Sequence, residues 1–399
     1  MRRTITRRAI VIRAAALGAA APFAGHLLAD PTALAQSGDP ILIGAPYNLT
    51  GGLSSVDQPA ADGSLLAVEE INAAGGVLGR PIELIVYDGK SDLPTMSALT
   101  KKLVTSDNVV AIVGLTDTSH MKASGPIAQQ NQVPFLDVAG TAPVITSVGD
   151  YIFMLPFGDN VQAAVAAEFA KEQGWTTCAM LVDESTDYTK YLAKYFDERF
   201  TADDIGGTAV SRLAFNMGDT DFSAQLTKFK NLDPQPDFWF VSANPGEVGT
   251  IVKQARDMGY QGPIVGGDGF DTPLLAELAG PVNEVYFTTH QGIYDQSEKA
   301  EAFIAAYEAK YGTPPENVFP ALGYDGIYLM ANAIETAGST DGPAIRDALA
   351  ATAGWEGVTG TISYAEGSRI PSKSVALIQV KDGKNELLEI VVPEVVPGA

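Results

Sequence analysis

Ile71-Asn72-Ala73-Ala74-Gly75-Gly76-Val77-Leu78-Gly79-Arg80-Pro81-Ile82-Glu83-Leu84 is the stretch in which this chain changes from one kind of element to another. Ahead of it, Ala61, Leu65, Val68 and Ile71 recur at helical spacing and give a helix one apolar face. Asn72 to Gly76 is a run of turn formers that stops the helix, because glycine accepts the left-handed backbone a helix end requires. Ile82–Tyr87 then runs as a short apolar, β-rich segment, the mark of a parallel strand buried on both faces. With Ile41–Ala45 as the strand before the helix, the stretch completes a βαβ unit.

The same alternation continues outward. Val109–Val113 and Val133–Leu136 read as further buried strands, so the first part is βαβαβα and right-handed crossovers make it an open twisted sheet. The pattern then restarts. Ala179–Val182, Thr208–Leu213, Phe238–Val241 and Ile264–Val265 read as strands. Val161–Glu172, Tyr188–Phe200, Phe222–Lys230 and Glu247–Asp257 read as helices between them. Beyond Gly292 come helical stretches at Glu298–Tyr311, Val318–Ala337 and Ala344–Ala350. A strand pair, Gly360–Tyr364 with Ser374–Val380, then closes the chain, and the tail from Pro393 is expected to fray. No Gly/Ser-rich or Pro-rich linker separates the two α/β units, which predicts lobes joined by short crossover segments.

Composition narrows the function. The chain has 399 residues, 46% of them apolar, enough for two cores. Its formal net charge of −22, with no basic stripe, argues against a nucleic-acid or anionic-lipid partner. Arg2, Arg3, Arg7, Arg8 and Arg13 precede a small-residue apolar stretch from Ala14 to Ala24, and Ala33-Leu34-Ala35 offers a cleavage site. Residues 1–35 therefore read as a secretory signal, with Thr6-Arg7-Arg8 leaving twin-arginine and Sec export both open. No later segment is apolar for long enough to span a bilayer. The single cysteine, Cys178, lies in an apolar run and is expected to be a small buried hydrophobe, while no cysteine follows the signal to carry a lipid anchor. Export without disulfides suits a bacterial periplasm.

Catalytic motifs are not found. There is no HExxH, CxxC, GxxxxGK[ST] or GxSxG, only three histidines, and no carboxylate paired with His or Lys in a recognisable motif. Gly266-Gly267-Asp268-Gly269 lacks the helix start and lysine of a phosphate loop, and Asp88 with Asp92 is too few ligands for a metal. The expectation is binding without turnover, cofactor or metal. The loops leaving each strand are more informative, because ligands of open α/β sheets sit outside the carboxyl ends of strands. Val113 is followed by Gly114-Leu115-Thr116-Asp117-Thr118-Ser119 and a helix start, a good receptor for a carboxylate. Leu136 is followed by Ala139-Gly140-Thr141-Ala142-Pro143. In the second unit Val182 leads to Asp183, Glu184 and Tyr188, and Val265 leads to Asp268. One unit thus offers anion-binding groups and the other a carboxylate, the polarity that grips a zwitterion across a cleft.

These residues also resemble a known family. Ile71–Leu84 followed by Tyr87-Asp88 is similar to the signature of branched-chain amino-acid-type periplasmic solute-binding proteins of ABC transporters. So are Leu49-Thr50-Gly51, Val110–Gly114, Val133-Pro134 with Ala142-Pro143, Asp221-Phe222-Ser223, Gln254-Ala255-Arg256, Gly266–Gly269 and Gly323-Tyr324-Asp325. The resemblance implies a type I periplasmic-binding fold, α/β, with two doubly wound parallel-sheet lobes joined by a three-segment hinge crossing near Pro156, His290 and Ile370. Lobe 1 would be 41–156 plus 291–370, and lobe 2 would be 157–290 plus 371–395. It implies a monomeric periplasmic receptor that delivers a small carboxylate-bearing solute, an amino acid or a relative, to an inner-membrane ABC permease. A sensor of the same fold docking on a membrane signalling protein is the alternative, as is an aromatic acid, amide or urea as ligand. Thr118 or Ser119 would be the carboxylate-binding hydroxyl, the loop being one residue shorter than in leucine-binding members. Ala139 and Thr141 would supply further contacts, Tyr188 an aromatic wall, Asp268 the ammonium partner and Phe319 an apolar wall. Asn244 stands where leucine-binding members carry an aromatic residue, and Val56 where they carry a tyrosine, so the side-chain pocket is rebuilt.

Cleavage after Ala35 is directly testable. Mass spectrometry of the exported protein should find Gln36 as the first residue, and a functional pool retaining Met1 would contradict the assignment.

Overall fold

The computed structural model describes residues 38–398; the export segment expected at 1–35 lies outside them. Fourteen strands and eleven α-helices alternate along these residues. The first sheet holds β1 (Ile41–Tyr47), β2 (Ile82–Asp88), β3 (Ala111–Gly114), β4 (Phe135–Asp137) and β5 (Ile152–Met154). All are parallel, in the order β2-β1-β3-β4-β5. Between them run α1 (Ser54–Ala73), α2 (Leu93–Thr105) and α3 (Thr118–Gln130). Apolar strands cannot leave a face in water, and the helices cover both: Ile41, Ile43, Ala45 and Tyr47 of β1 are all fully buried.

The second sheet takes β6 (Thr177–Asp183), β7 (Thr208–Phe215), β8 (Phe238–Ser242), β9 (Ile264–Gly266) and β10 (Val285–Thr289) as parallel strands. Their helices are α4 (Asp159–Glu172), α5 (Asp187–Phe200), α6 (Ser223–Lys230), α7 (Pro245–Asp257) and the short α8 (Pro273–Ala279). Aromatic stacking fills this half, with Trp239 lying flat on Tyr260 at 3.6 Å and Phe196 on Phe240 at 3.7 Å. Cys178 is fully buried on β6, as its apolar context predicts. The chain then returns to the first half as α9 (Glu298–Tyr311), α10 (Phe319–Ala337), α11 (Gly342–Ala350) and the hairpin β11 (Trp355–Gly357) with β12 (Gly360–Ile362). It ends in the second sheet as β13 (Val375–Lys381), antiparallel to β10, and β14 (Lys384–Val391), antiparallel to β13. The backbone thus passes between the sheets three times.

Two expectations are corrected, and two strands absent from the sequence reading are added. The two C-terminal runs do not pair with each other, because β12 pairs with β11 while β13 adds to β10. Strand β10 escapes a reading for apolar runs because Thr288 and Thr289 interrupt it. They are buried only because their hydroxyls donate to Gln162 and Asp271, at 3.0 and 2.9 Å. Strand β14 is exposed along almost all its length and carries no burial pattern to read. The tail beyond Pro393 is tied down, since the carbonyl of Pro397 accepts a hydrogen bond from the buried Asn160 Nδ2 at 3.0 Å.

Helices α1 and α10 meet at two glycines. A Cβ at Gly63 would fall 1.8 Å from the Pro320 carbonyl oxygen, and one at Gly323 would fall 1.9 Å from that of Ala60. The Ser64 hydroxyl, donating to the Gly323 carbonyl at 3.0 Å, locks the crossing. On helix propensity alone Gly323→Ala would stabilise by about 1 kcal/mol. Forced separation of the two helices should instead lower stability by ~1–3 kcal/mol. Urea unfolding showing a lower midpoint at unchanged slope would establish that packing outweighs propensity here.

Candidate ligand-binding site

The carboxyl ends of both sheets face a common cavity of about 310 Å³ of unfilled space. Thr116, Asp117, Ala139 and Thr141 line it from the loops after β3 and β4, with Leu53, Val56 and Phe319 beside them. Opposite stand Tyr188, Asn244 with Pro245, and Asp268 with Gly269. Six of the eight residues expected at the site therefore meet here: Ala139, Thr141, Tyr188, Asn244, Asp268 and Phe319. Thr118 and Ser119 are not among the lining residues. The Thr118 hydroxyl accepts the Ala142 N–H at 3.3 Å and ties the two first-sheet loops together. The Ser119 hydroxyl accepts the Asp187 N–H, 3.1 Å away at the start of α5. The helix begins at Thr118, which turns its first residues away from the cavity; Thr116 and Asp117, just before it, face the cavity instead.

The two walls carry different polar groups. On the first-sheet side the hydroxyls of Thr116 and Thr141 are buried and make no well-aligned hydrogen bond within the protein. Such groups cost free energy unless a ligand engages them. Asp117 caps α3, its Oδ1 accepting the His120 N–H at 2.9 Å and pairing with His120 Nδ1 at 2.6 Å. Burial opposes a charged imidazole, but the bond and charge of Asp117 together with the nearby Asp57 and Asp92 raise the His120 pKa, which favours the imidazolium beside Asp117.

On the opposite wall Asp268 is positioned by Gln162. Its Oδ1 accepts from Gln162 Nε2 at 2.8 Å, and its backbone N–H donates to Gln162 Oε1 at 3.1 Å. His290 Nε2 lies 3.7 Å from the other carboxylate oxygen, but burial lowers the His290 pKa, so this imidazole is neutral. The Tyr188 hydroxyl accepts the Gly269 N–H at 2.9 Å. The glycine run is explained by close approach rather than phosphate binding, since a Cβ at Gly269 would lie 2.4 Å from the Ala243 carbonyl. Asn244 donates to Asp183 Oδ2 at 2.8 Å and to the Thr186 hydroxyl at 3.1 Å, which turns its amide away from an aromatic role. Among the described residues no Lys or Arg lines the cavity.

The reading of the sequence missed several partners. Asp117–His120 and Asp268–His290 are carboxylate–histidine pairs, and only the first, at i and i+3 across a helix start, has a local spacing that could reveal it. Gln162 and Asp159 on α4 become site residues purely by folding; Gln162 Nε2 also donates to Asp159 Oδ1, at 2.9 Å. At the rim, Lys122 of α3 pairs with Asp187 of α5 at 2.6 Å, so the two walls are held together outside the cavity.

A family model described as periplasmic binding protein matches residues 40–385. The leucine-, isoleucine-, valine-, threonine- and alanine-binding protein of Pseudomonas aeruginosa is 28% identical over 345 residues, 86% of this chain and 91% of that protein. The crystal structure of a branched-chain amino acid transporter substrate-binding protein from Streptococcus pneumoniae, in complex with isoleucine, superposes with a TM-score of 0.83. It is 35% identical and covers 89% of this chain and 100% of its own. A solute-binding protein of an ABC transporter from Rhodopseudomonas palustris, in complex with 3,4-dihydroxybenzoic acid, has a TM-score of 0.80 at 25% identity. That match covers 90% of this chain and 98% of its own.

Buried acids around the cavity set a pH dependence. Burial raises the pKa of Asp57 to about 6, of Asp271 to about 6 and of Glu247 to about 7. Folded carboxyls with raised pKa values bind protons that the unfolded chain has released, so stability falls as pH rises from the carboxylate range through these values. The His120 contribution is also lost as pH rises through its raised pKa. Thermal unfolding should therefore occur at a higher temperature near pH ~5.5 than near pH ~8. Asp57→Asn should flatten that slope, since a fully buried carboxyl raised by about two units costs of the order of 3 kcal/mol once ionised.

Proposed function

This chain belongs to the periplasmic binding protein family, and on that premise we propose that it is the receptor of an ABC importer for a small carboxylate-bearing solute, an amino acid or a close relative. Residues 1–35 direct its export to the periplasm and are removed. Two lobes, 41–156 with 291–370 and 157–290 with 371–395, close over the ligand, and the closed monomer hands it to an inner-membrane permease. It turns nothing over and needs no cofactor.

One observation carries the reading: Thr116 and Thr141 line one wall of the cavity and Asp268 the other, with no basic side chain among the described lining residues. The ligand carboxylate takes the hydroxyls and loop N–H groups of the first lobe, and its ammonium takes Asp268. Asn244 and Val56 shape the pocket for the side chain. A ligand that contacts both walls stabilises the closed form by its differential affinity, and the Lys122–Asp187 pair adds a contact available only when the walls meet. Micromolar binding needs about −8 kcal/mol, which a few charge-assisted hydrogen bonds of ~1.5–3 kcal/mol each supply after ordering costs.

Mass spectrometry of solute carried through purification identifies the ligand, and calorimetry with that solute tests the site. Asp268→Asn should weaken binding of an amino acid roughly 100-fold, by leaving a buried ammonium without its counter-charge. Thr141→Val should cost less, ~1–3 kcal/mol, because other donors remain. If Asp268→Asn bound as tightly as wild type while Thr141→Val failed, the ligand would be a simple acid, such as an aromatic carboxylate, and Asp268 would only shape its glycine turn.

A further inference from the structure

Away from the cleft, a second concavity opens between α1, α9, α10 and the β11–β12 hairpin, enclosing about 730 Å³ of unfilled space open to solvent. Its walls are aromatic. Phe303, itself nearly fully buried, meets Tyr324 edge-on, with centroids 5.0 Å apart at 61°, and Tyr324 meets Tyr328 at 4.7 Å and 45°, so two half-buried tyrosine rings turn a corner backed by Phe303. Trp355 adds a fourth ring from the hairpin, lying so close over Gly357 that a Cβ there would sit 2.6 Å from Cζ3 of the indole.

The charges at this site are unequally engaged. Lys299 donates to the Glu356 carbonyl at 2.6 Å and lies 3.4 Å from its carboxylate. Asp325 is saturated by the N–H groups of Val358 and Thr359 and by the Thr359 hydroxyl, at 2.8, 2.7 and 2.6 Å. Glu70 remains. Its Oε2 accepts both phenols, Tyr324 at 2.5 Å and Tyr328 at 3.0 Å, and no described residue donates to Oε1. Burial and the Glu70 bond together raise the Tyr324 pKa, which favours its neutral phenol.

We propose that this concavity is a second binding site, for a small organic cation of the alkylammonium class. Angled aromatic faces attract a cation through their quadrupoles, most strongly when the cation is weakly hydrated and sheds its water readily. The Glu70 carboxylate supplies the counter-charge, and the same carboxylate and ring faces disfavour an anion. A divalent metal ion does not suit the site, since no group of three or more metal-ligating side chains occurs among the described residues. A neutral hydrophobe would fill the space but gain nothing from Glu70. The site shares no residue with the cleft cavity and does not depend on what the cleft binds.

Calorimetric titration of the purified protein with choline, against its uncharged isostere 3,3-dimethylbutan-1-ol at matched ionic strength, tests this. Choline should bind saturably and the isostere at least about tenfold more weakly. Glu70→Gln, which keeps an acceptor for the tyrosines, should weaken choline about tenfold or more at unchanged melting temperature. Trp355→Ala should weaken it as well, and choline should still bind when the cleft is saturated with the solute that co-purifies. Equal binding of the isostere, indifference to Glu70→Gln, displacement by the cleft solute, or no saturable heat at millimolar choline would each overturn the assignment.

Discussion

The amide of Gln162 fixes the charged half of the cleft. Its nitrogen donates to Asp159 and Asp268 together, at 2.9 and 2.8 Å, and its oxygen accepts from the Asp268 backbone and from Thr288 on β10, at 3.1 and 3.0 Å. All four bonds are buried, so none is exchanged for water without cost. The network leaves one orientation for the amide and therefore one position for each carboxylate. Asp159 stands at the start of α4, where the chain has just left the first sheet, and its N–H donates to the Thr141 carbonyl at 2.6 Å. One side chain thus ties the crossover, the acid facing the cavity and the central sheet into a single rigid unit.

Two like charges that close would repel in a dry site. Burial, with Asp268 close by, pushes the Asp159 pKa well above the usual carboxylate range and favours its protonated form, while Asp268 is the acid that lines the cavity. The first-sheet wall solves the same problem differently. There Asp117 pairs with His120, whose pKa is raised, and the hydroxyls of Thr116 and Thr141 are buried beside the cavity. The two walls have opposite preferences, although each is rich in acids. Formal net charge describes the surface of this protein and says little about its cavity.

Rigid halves are the condition for that arrangement to work. Strand β1, buried along its length, and the α1–α10 crossing at Gly63 and Gly323 fix the first-sheet loops relative to one another. Stacked aromatics do the same for the second sheet. What remains adjustable is the set of three passages between the sheets and the exposed Lys122–Asp187 contact, a pair whose strength at the surface is modest and screened by salt.

Much of this was legible in the chain itself. Buried parallel strands announce themselves as apolar runs, and helix stops as Asn and Gly, because both are consequences of local backbone chemistry and burial. Ile82–Asp88 and Glu298–Tyr311 were readable for that reason. Loops at the carboxyl ends of strands were the right places to look, which located Ala139, Thr141, Tyr188 and Asp268. The choice between neighbouring loop residues was not legible: a helix that starts at Thr118 aims Thr116 and Asp117 at the cavity, and the direction of a side chain on a turn depends on φ and ψ that the sequence does not display. Nor was the pairing of β12 with β11 or the burial of Thr288 and Thr289, since these depend on partners far away in sequence. Local periodicity by itself determined most of the elements, their order and the strand ends at which the cavity opens. Only the tertiary structure decided which side chains face one another there, because distances between residues 162, 268 and 288 are set by packing and not by any pattern along the chain.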